Sequence, residues 1–261
     1  MFAVVRSTRI RGSRFNRLPL LMPMKPLIIA HRGASADAPE NTLAAFALAV
    51  AQGADMIELD LQRSADGVLV VFHDDTTERW DGATRPLTDY TLAELRRLTI
   101  GGERIATFAE TCAFARRTKI ALNVELKLPG LAAAAATLIY AYDLAERVLV
   151  SSFYAPELRA MRRVAPQLPR AYLMGNDTWR PDVRLRELWP FFALRREAVV
   201  AWHPSWALPF ARQLIPLVRR AGYQVNVWTV DDPALMRSLV ACGATGIITN
   251  RPAVARAGVG R

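Results

Sequence analysis

The chain has 261 residues, 52% of them apolar, enough to bury a large core and compatible with a single α/β barrel. No window approaches 18 uninterrupted apolar residues, so neither a transmembrane helix nor stable membrane insertion is expected. The formal net charge of +10 has the sign of a nucleic-acid protein, but residues 1–27 carry Arg6, Arg9, Arg11, Arg14, Arg17 and Lys25 without one acid; the remainder sets 28 basic against 24 acidic residues, and no nucleic-acid partner is expected.

Residues 1–25 read as a basic, disordered leader or a mis-assigned start, since Met22 and Met24 sit just before the first apolar run. A flexible arm touching anionic lipid or nucleic acid is the sharper alternative. The stretch lacks the apolar core and small-residue cleavage site of a secretory signal. Cys112 and Cys242 lie far apart inside helical patterns, which fits reduced thiols and a cytoplasmic setting.

From residue 26 onward, apolar runs alternate with amphipathic stretches. Strands are expected at 26–31, 55–61, 68–74, 120–126, 147–153, 170–174, 198–202, 224–230 and 246–249. Helices are expected at about 42–52, 91–98, 107–117, 130–145, 155–165, 182–196, 207–221 and 232–242. Asn41 or Thr42 suits an N-cap, and Gly53, Gly222 and Gly243 stand just past helix ends. Eight such units in about 225 residues predict a closed (β/α)8 TIM barrel.

The strand count is one too many. The gap between the second and third runs is too short for a crossover helix and contains Asp66-Gly67, so residues 55–74 read as a β-hairpin. A type I′ turn there pairs residues whose numbers sum to 133, which sets Asp60 opposite His73. Strand period 2 puts Glu58 on the same face.

In such a barrel, side chains at the carboxyl ends of strands gather at one mouth. That mouth would hold His31, Arg32, Glu58, Asp60, His73, Glu125 and Lys127. Three carboxylates, Glu58, Asp60 and Glu125, make a hard oxygen site for Mg2+ or Ca2+ and would repel one another without a cation. His31 and His73 can divide general-acid and general-base work, and Arg32 and Lys127 can neutralise a phosphate. Together these groups suit phosphodiester cleavage, whose transition state spreads negative charge over phosphoryl oxygens. Singly, a strand-end histidine reads as structural, an E-x-D pair as a solvated face, and Lys127 as surface. The coincidence of all seven at inward strand ends favours a shared site. His203 either lines the mouth or caps the next helix beside Pro204. Residues 188–194, "LWPFFAL", read as a helix core face, with acyl-chain contact as the alternative.

The blocks "AHRGASADAPENTLAAF", "GADMIELDLQRSADGVLVVFHDDTTER", "NVELK", "VLVSSF", "VNVWTV" and "GIITNRP" resemble the glycerophosphodiester phosphodiesterases, from about Leu27 to Pro252. The resemblance implies a TIM-barrel domain over 26–255, with a small insertion at about 74–106 forming one rim of the mouth. It implies metal-dependent hydrolysis of a small-molecule glycerophosphodiester to sn-glycerol 3-phosphate and an alcohol. His31 and His73 then look like the acid/base pair, Glu58, Asp60 and Glu125 like the metal ligands, and Arg32 and Lys127 like phosphate contacts. Phe153 and Trp228 look like apolar walls near the glycerol, and Glu40 like a support acting through hydrogen bonds. Gly33 reads as the turn that brings the backbone close to the ligand.

Three departures stand out. The family often has Arg-Thr-Thr where residues 78–82 read Glu-Arg-Trp-Asp-Gly, an asparagine where Asp231 stands, and Thr-Asp where Thr249-Asn250 stands. None is expected to touch the metal or proton-transfer residues. The competing readings are a lysophospholipase D-like or sphingomyelinase D-like hydrolase acting on lipid, and a non-catalytic phosphate or anionic-surface binding protein. Either histidine can be the base, and the nucleophile is water or the neighbouring glycerol hydroxyl. No feature of the sequence points to an oligomeric state.

Overall fold

Continuous apolar runs make strands buried on both faces, and Ile28, Ile29 and Ala30 are fully buried in the first of them. The structure is a computed structural model that describes residues 25–175 and 180–259; the leader, apart from Lys25, lies outside the described residues. In chain order the first half contains β1 (Leu27–His31), α1 (Leu43–Ala51), β2 (Met56–Arg63), β3 (Leu69–Val71), α2 (Glu78–Asp81), α3 (Leu92–Leu95), β4 (Thr99–Ile100), β5 (Glu103–Arg104), α4 (Phe108–Thr118), β6 (Ala121–Leu126) and α5 (Ala132–Ala141). The second half contains β7 (Val148–Ser152), α6 (Ala155–Val164), β8 (Arg170–Met174), α7 (Pro181–Leu188), α8 (Phe191–Glu197), β9 (Ala201–Pro204), α9 (Ala211–Arg220), β10 (Gln224–Val227), α10 (Pro233–Ala241), β11 (Gly246–Thr249) and α11 (Pro252–Val259).

Eight strands pair in parallel in the order β1-β11-β10-β9-β8-β7-β6-β2, and β1 pairs with β2 to close the barrel. β3 runs antiparallel to β2 and stands outside the eight. Ile29, Met56, Leu149, Ala171, Ala201 and Ile248 form one buried cluster inside the barrel. Their alternating neighbours, such as Ile28, Ile57 and Val150, pack outward against the helices. Period 2 therefore carries the inward set Ile29–His31 and Met56–Glu58–Asp60 from an apolar floor to a polar mouth.

Several expected elements differ: the 91–98 helix is the single turn Leu92–Leu95, and the strands expected at 68–74 and 224–230 end at Val71 and Val227. The hairpin register sums to 132, not 133, with Leu61 opposite Val71 and Gln62 opposite Val70. Ser64 N donates to Val68 O and Gly67 N to Ser64 O, with Gly67 at φ 85, so the loop spends three residues where a type I′ turn spends two. The expected 182–196 helix is two helices, because Pro190 has no N–H to donate and its ring restricts Trp189. The expected 198–202 strand begins later, at Ala201, because Ala198 ends α8 in the left-handed conformation at φ 50. That shift places His203 within β9 rather than after it.

Candidate active site

β1 delivers His31 to the mouth, and the chain then turns through Arg32 and Gly33 at φ 55 and 87. A side chain on Gly33 would meet Ala45 of α1, with its Cβ at 2.7 Å and its carbonyl carbon at 2.8 Å. The close approach that requires glycine here is to helix α1. Arg32 and Asn41 both hold left-handed conformations and are tied by Asn41 N donating to Arg32 O. Strain of this kind costs about 1–2 kcal/mol per residue, least for asparagine, and places two side chains where an extended chain would not. Thr42 caps α1 by accepting from Ala45 N.

The three carboxylates come from adjacent strands in register, Glu58 beside Asn123 and Asp60 beside Glu125. Glu58, Asp60 and Glu125 are all buried and can each offer an oxygen within 4.8 Å of the others'. Burial pushes the Glu58 carboxyl well above its ordinary range, and Asp60 and Glu125 add to the effect. Burial and then Asp60 push Glu125 up to about 7. Burial also works against the charge on Asp60, but Arg32 and Lys127 outweigh it and hold this carboxyl below its usual value. An all-oxygen set whose members resist sharing their negative charge fits a divalent cation.

The cations sit around that set. Arg32 N donates to Glu58 Oε2 at 3.0 Å, and Arg32 Nη1 to Glu40 Oε1 at 3.1 Å. Arg32 Nε lies 3.2 Å from Asp60 Oδ2, close enough for an ion pair though not aligned for a hydrogen bond. Lys127 Nζ is 3.6 Å from Asp60 and 3.7 Å from Glu125.

Both histidines are oriented through Nδ1. His31 Nδ1 is 2.7 Å from Asn250 Oδ1, which also accepts from Ser35 Oγ at 2.8 Å. Asn250 Nδ2 donates to Asp231 Oδ2 at 2.6 Å, which fixes the amide so that its oxygen faces His31. His31 Nδ1 must then carry the hydrogen, leaving Nε2 as the free lone pair. Burial, and Arg32 alongside, push this imidazole down to about 4. Departures expected to lie clear of the proton-transfer residues therefore reach them: Asn250 holds His31, Asp231 holds Asn250, and Arg79 of the 78–82 stretch holds Asp74 beside His73.

His73 does not face Asp60 across a ladder, because the one-residue shift in register sets Phe72 there, its N–H donating to Asp60 O. β3 ends at Val71, and His73 reaches the mouth from irregular chain. Gln62 Nε2 holds that segment by donating to the carbonyls of Phe72, His73 and Asp74. His73 Nδ1 is 2.7 Å from Asp74 Oδ1. Arg79 Nε donates to Asp74 Oδ2 at 2.7 Å, and its terminal nitrogens bond Glu40. A chain His73–Asp74–Arg79–Glu40–Arg32 thus runs along the rim.

A cavity of about 300 Å3 joins these groups; His31, Arg32, Glu58, His73, Glu125 and Lys127 all line it, and Asp60 lies just beneath. Phe153 and Trp228 form one wall as an edge-to-face pair with ring centroids 5.6 Å apart. Asn123 is at the floor, its amide atoms without a hydrogen-bond partner among the described residues. His203 neither lines this cavity nor caps a helix. It is fully buried, 2.9 Å from the Asn226 amide, and burial pushes it down to about 3. Sequence reasoning missed Asn41, which donates to Asp60 Oδ2 at 2.9 Å, together with Gln62, Asp74, Asp231 and Asn250. Gln62 alone had a readable signal, since it continues the Glu58–Asp60 alternation.

Residues 31–254 match the glycerophosphoryl diester phosphodiesterase family. A glycerophosphodiester phosphodiesterase of Caldanaerobacter subterraneus subsp. tengcongensis is 36% identical over 242 residues, 88% of this chain and 96% of that protein. The solved structure of an Oleispira antarctica phosphodiesterase in complex with the product sn-glycerol-3-phosphate is similar at TM-score 0.78 and 28% identity, covering 90% of this chain and 97% of that one. A glycerophosphodiester phosphodiesterase from Agrobacterium tumefaciens is similar at TM-score 0.75 and 27% identity, covering 89% and 99%. With a closed barrel, a carboxylate cluster at its mouth and these matches over nearly its whole length, the chain belongs to the glycerophosphoryl diester phosphodiesterase family.

Proposed function

We propose that the chain hydrolyses glycerophosphodiesters to sn-glycerol 3-phosphate and an alcohol at the mouth of its barrel. The observation that carries this reading is the one cavity into which two imidazoles, two cations and the carboxylate cluster converge. Its volume of about 300 Å3 suits a small-molecule substrate rather than a polymer. The product held by the Oleispira antarctica relative supports the same chemistry.

Glu58, Asp60 and Glu125 would hold Mg2+ or Ca2+, which supplies neutralisation of a phosphoryl oxygen and lets all three carboxylates stay ionised. Arg32 and Lys127 take the remaining phosphate charge, Arg32 through its fork and Lys127 as a point charge. His31 is neutral at physiological pH, and its Nε2 takes the proton from the nucleophile, either water or the neighbouring glycerol hydroxyl. His73, oriented by Asp74, delivers a proton to the leaving alkoxide. Phe153 and Trp228 cover the carbon face of the glycerol and keep bulk water from it. The two free cysteines suit a reducing compartment, and we place the enzyme in the cytoplasm.

The test is release of glycerol 3-phosphate from glycerophosphocholine by metal-stripped protein supplied with Mg2+, Ca2+ or EDTA, beside Glu58→Ala. Metal-dependent release that disappears in Glu58→Ala is the expected result. Release that survives EDTA or the substitution would overturn the ligand assignment, and no release with any metal would overturn the substrate.

A further inference from the structure

Helix α7 is built inside out. Its one buried side chain is Glu187, while Leu185, Leu188 and the following Trp189, 61% accessible, face solvent. Their spacing of three and four residues is that of the stripe a globular helix turns to its core. Glu187 Oε1 accepts from Gly175 N at 2.8 Å, just past the carboxyl end of β8, so this part of α7 lies at the barrel mouth. Phe192, 70% accessible, extends the stripe into α8. Tyr154 after β7, and Trp206 and Phe210 after β9, are exposed in the two flanking connections at the same end of the barrel. Tyr154 and Phe192 wall a groove of about 640 Å3 that shares Phe153 with the catalytic cavity. An apolar surface of this extent marks a contact.

Charge identifies the contact. Arg180, Arg195, Arg196 and Arg212 are exposed around the stripe, whereas Asp182 is the one exposed carboxylate among the described residues of 180–212 and is already bonded by Arg180 and Arg186. The other two carboxylates, Glu187 and Glu197, are buried and paired with Arg184 and Arg159. Tryptophan, tyrosine and phenylalanine fringed by arginine match the chemistry of a bilayer interface, with rings among the headgroups and guanidinium groups on lipid phosphates. A second copy of the chain fits poorly, because a twofold contact would set the same arginines against one another.

We propose that the rim formed by α7, α8 and the connections after β7 and β9 docks the protein reversibly on an anionic phospholipid surface, with the catalytic mouth beside the lipid. The experiment sediments full-length protein with phosphatidylcholine vesicles, with or without about 30 mol% phosphatidylglycerol, and needs no catalysis as readout. The expected result is binding to the anionic vesicles alone, weakened about tenfold or more by Leu185→Glu with Trp189→Glu, while hydrolysis of soluble glycerophosphocholine stays within about twofold. Arg195→Glu with Arg212→Glu is expected to weaken binding similarly without disturbing the stripe. Equal binding to neutral and anionic vesicles would overturn the proposal. So would anionic binding that survives both pairs of substitutions and disappears when residues 1–24 are removed, which would assign it to the leader. A dimer in solution that Leu185→Glu with Trp189→Glu converts to monomer would assign the face to a second copy instead.

Discussion

Exchanging the two residues behind His31, as Asn250→Asp with Asp231→Asn, tests how this imidazole is set for proton transfer. In the native arrangement Asp231 is one hydrogen bond further out, and a neutral amide oxygen lies 2.7 Å from His31 Nδ1. The exchange keeps the net charge and the hydrogen-bond chain but brings the carboxylate into contact with the ring. A carboxylate in contact typically moves a partner by about 1–3 pKa units, and because the charge moves by only one hydrogen bond the expected rise is about 1–2 units. Starting from about 4, the imidazole would titrate near pH 5–6. If His31 is the base, only its neutral form works, so the acid limb of kcat/KM moves up with it. A two-unit shift would leave about a tenth of the native rate at pH 5 and little change at pH 8.

The assay is kcat/KM for glycerophosphocholine between pH 3.5 and 9 at saturating metal, with activity re-measured at neutral pH after each acid incubation. An acid limb that stays in place would refute the assignment of His31 as base. A rise in neutral-pH activity, with the alkaline limb moving upward, would instead make His31 the acid and leave His73 as the base.

Arg79→Ala should lower kcat/KM about tenfold or more by releasing both Asp74 and Glu40, with stability changed by under about 1 kcal/mol because the side chain is nearly half exposed; unchanged kinetics would show that the rim chain does not position His73 or Arg32. Gly33→Ala should destabilise the fold by about 2–4 kcal/mol in denaturant titration, since the added carbon would strike the α1 backbone at a left-handed φ; a loss below about 1 kcal/mol would show that α1 can move away. His203→Gln should flatten the acid dependence of stability. Burial lowers His203 to about 3, below its unfolded value of about 6.5, so its contribution is complete above pH 6.5 and is lost toward pH 3 at about 1.4 kcal/mol per pH unit. Equal slopes in parent and variant between pH 6.5 and 4.5 would contradict that reading.

Most of the barrel was legible because each unit speaks for itself: apolar runs with helical stretches between them repeat eight times, glycines such as Gly53, Gly222 and Gly243 mark helix ends, and only one short gap signals the odd strand. The carboxylates were legible for a similar reason. Glu58 and Asp60, or Asn123 and Glu125, share a face whatever the strands pair with, and parallel register then brings them together. What failed was whatever depended on a count or a partner outside the local run. One extra residue in the Ser64–Val68 loop shifted the whole hairpin register, yet His73 still reached the mouth because it lies beyond the ladder and is held by Gln62. Asp231 and Asn250 read as two unrelated departures, since 19 residues separate them and 219 separate Asn250 from His31. In the folded chain they bond each other, Asn250 Nδ2 donating to Asp231 Oδ2, and form one unit behind His31. Because the two side chains bond each other, changing either one alone would disturb both the hydrogen bonding and the charge behind His31. That is why the exchange variant, rather than either single substitution, isolates the electrostatics of His31.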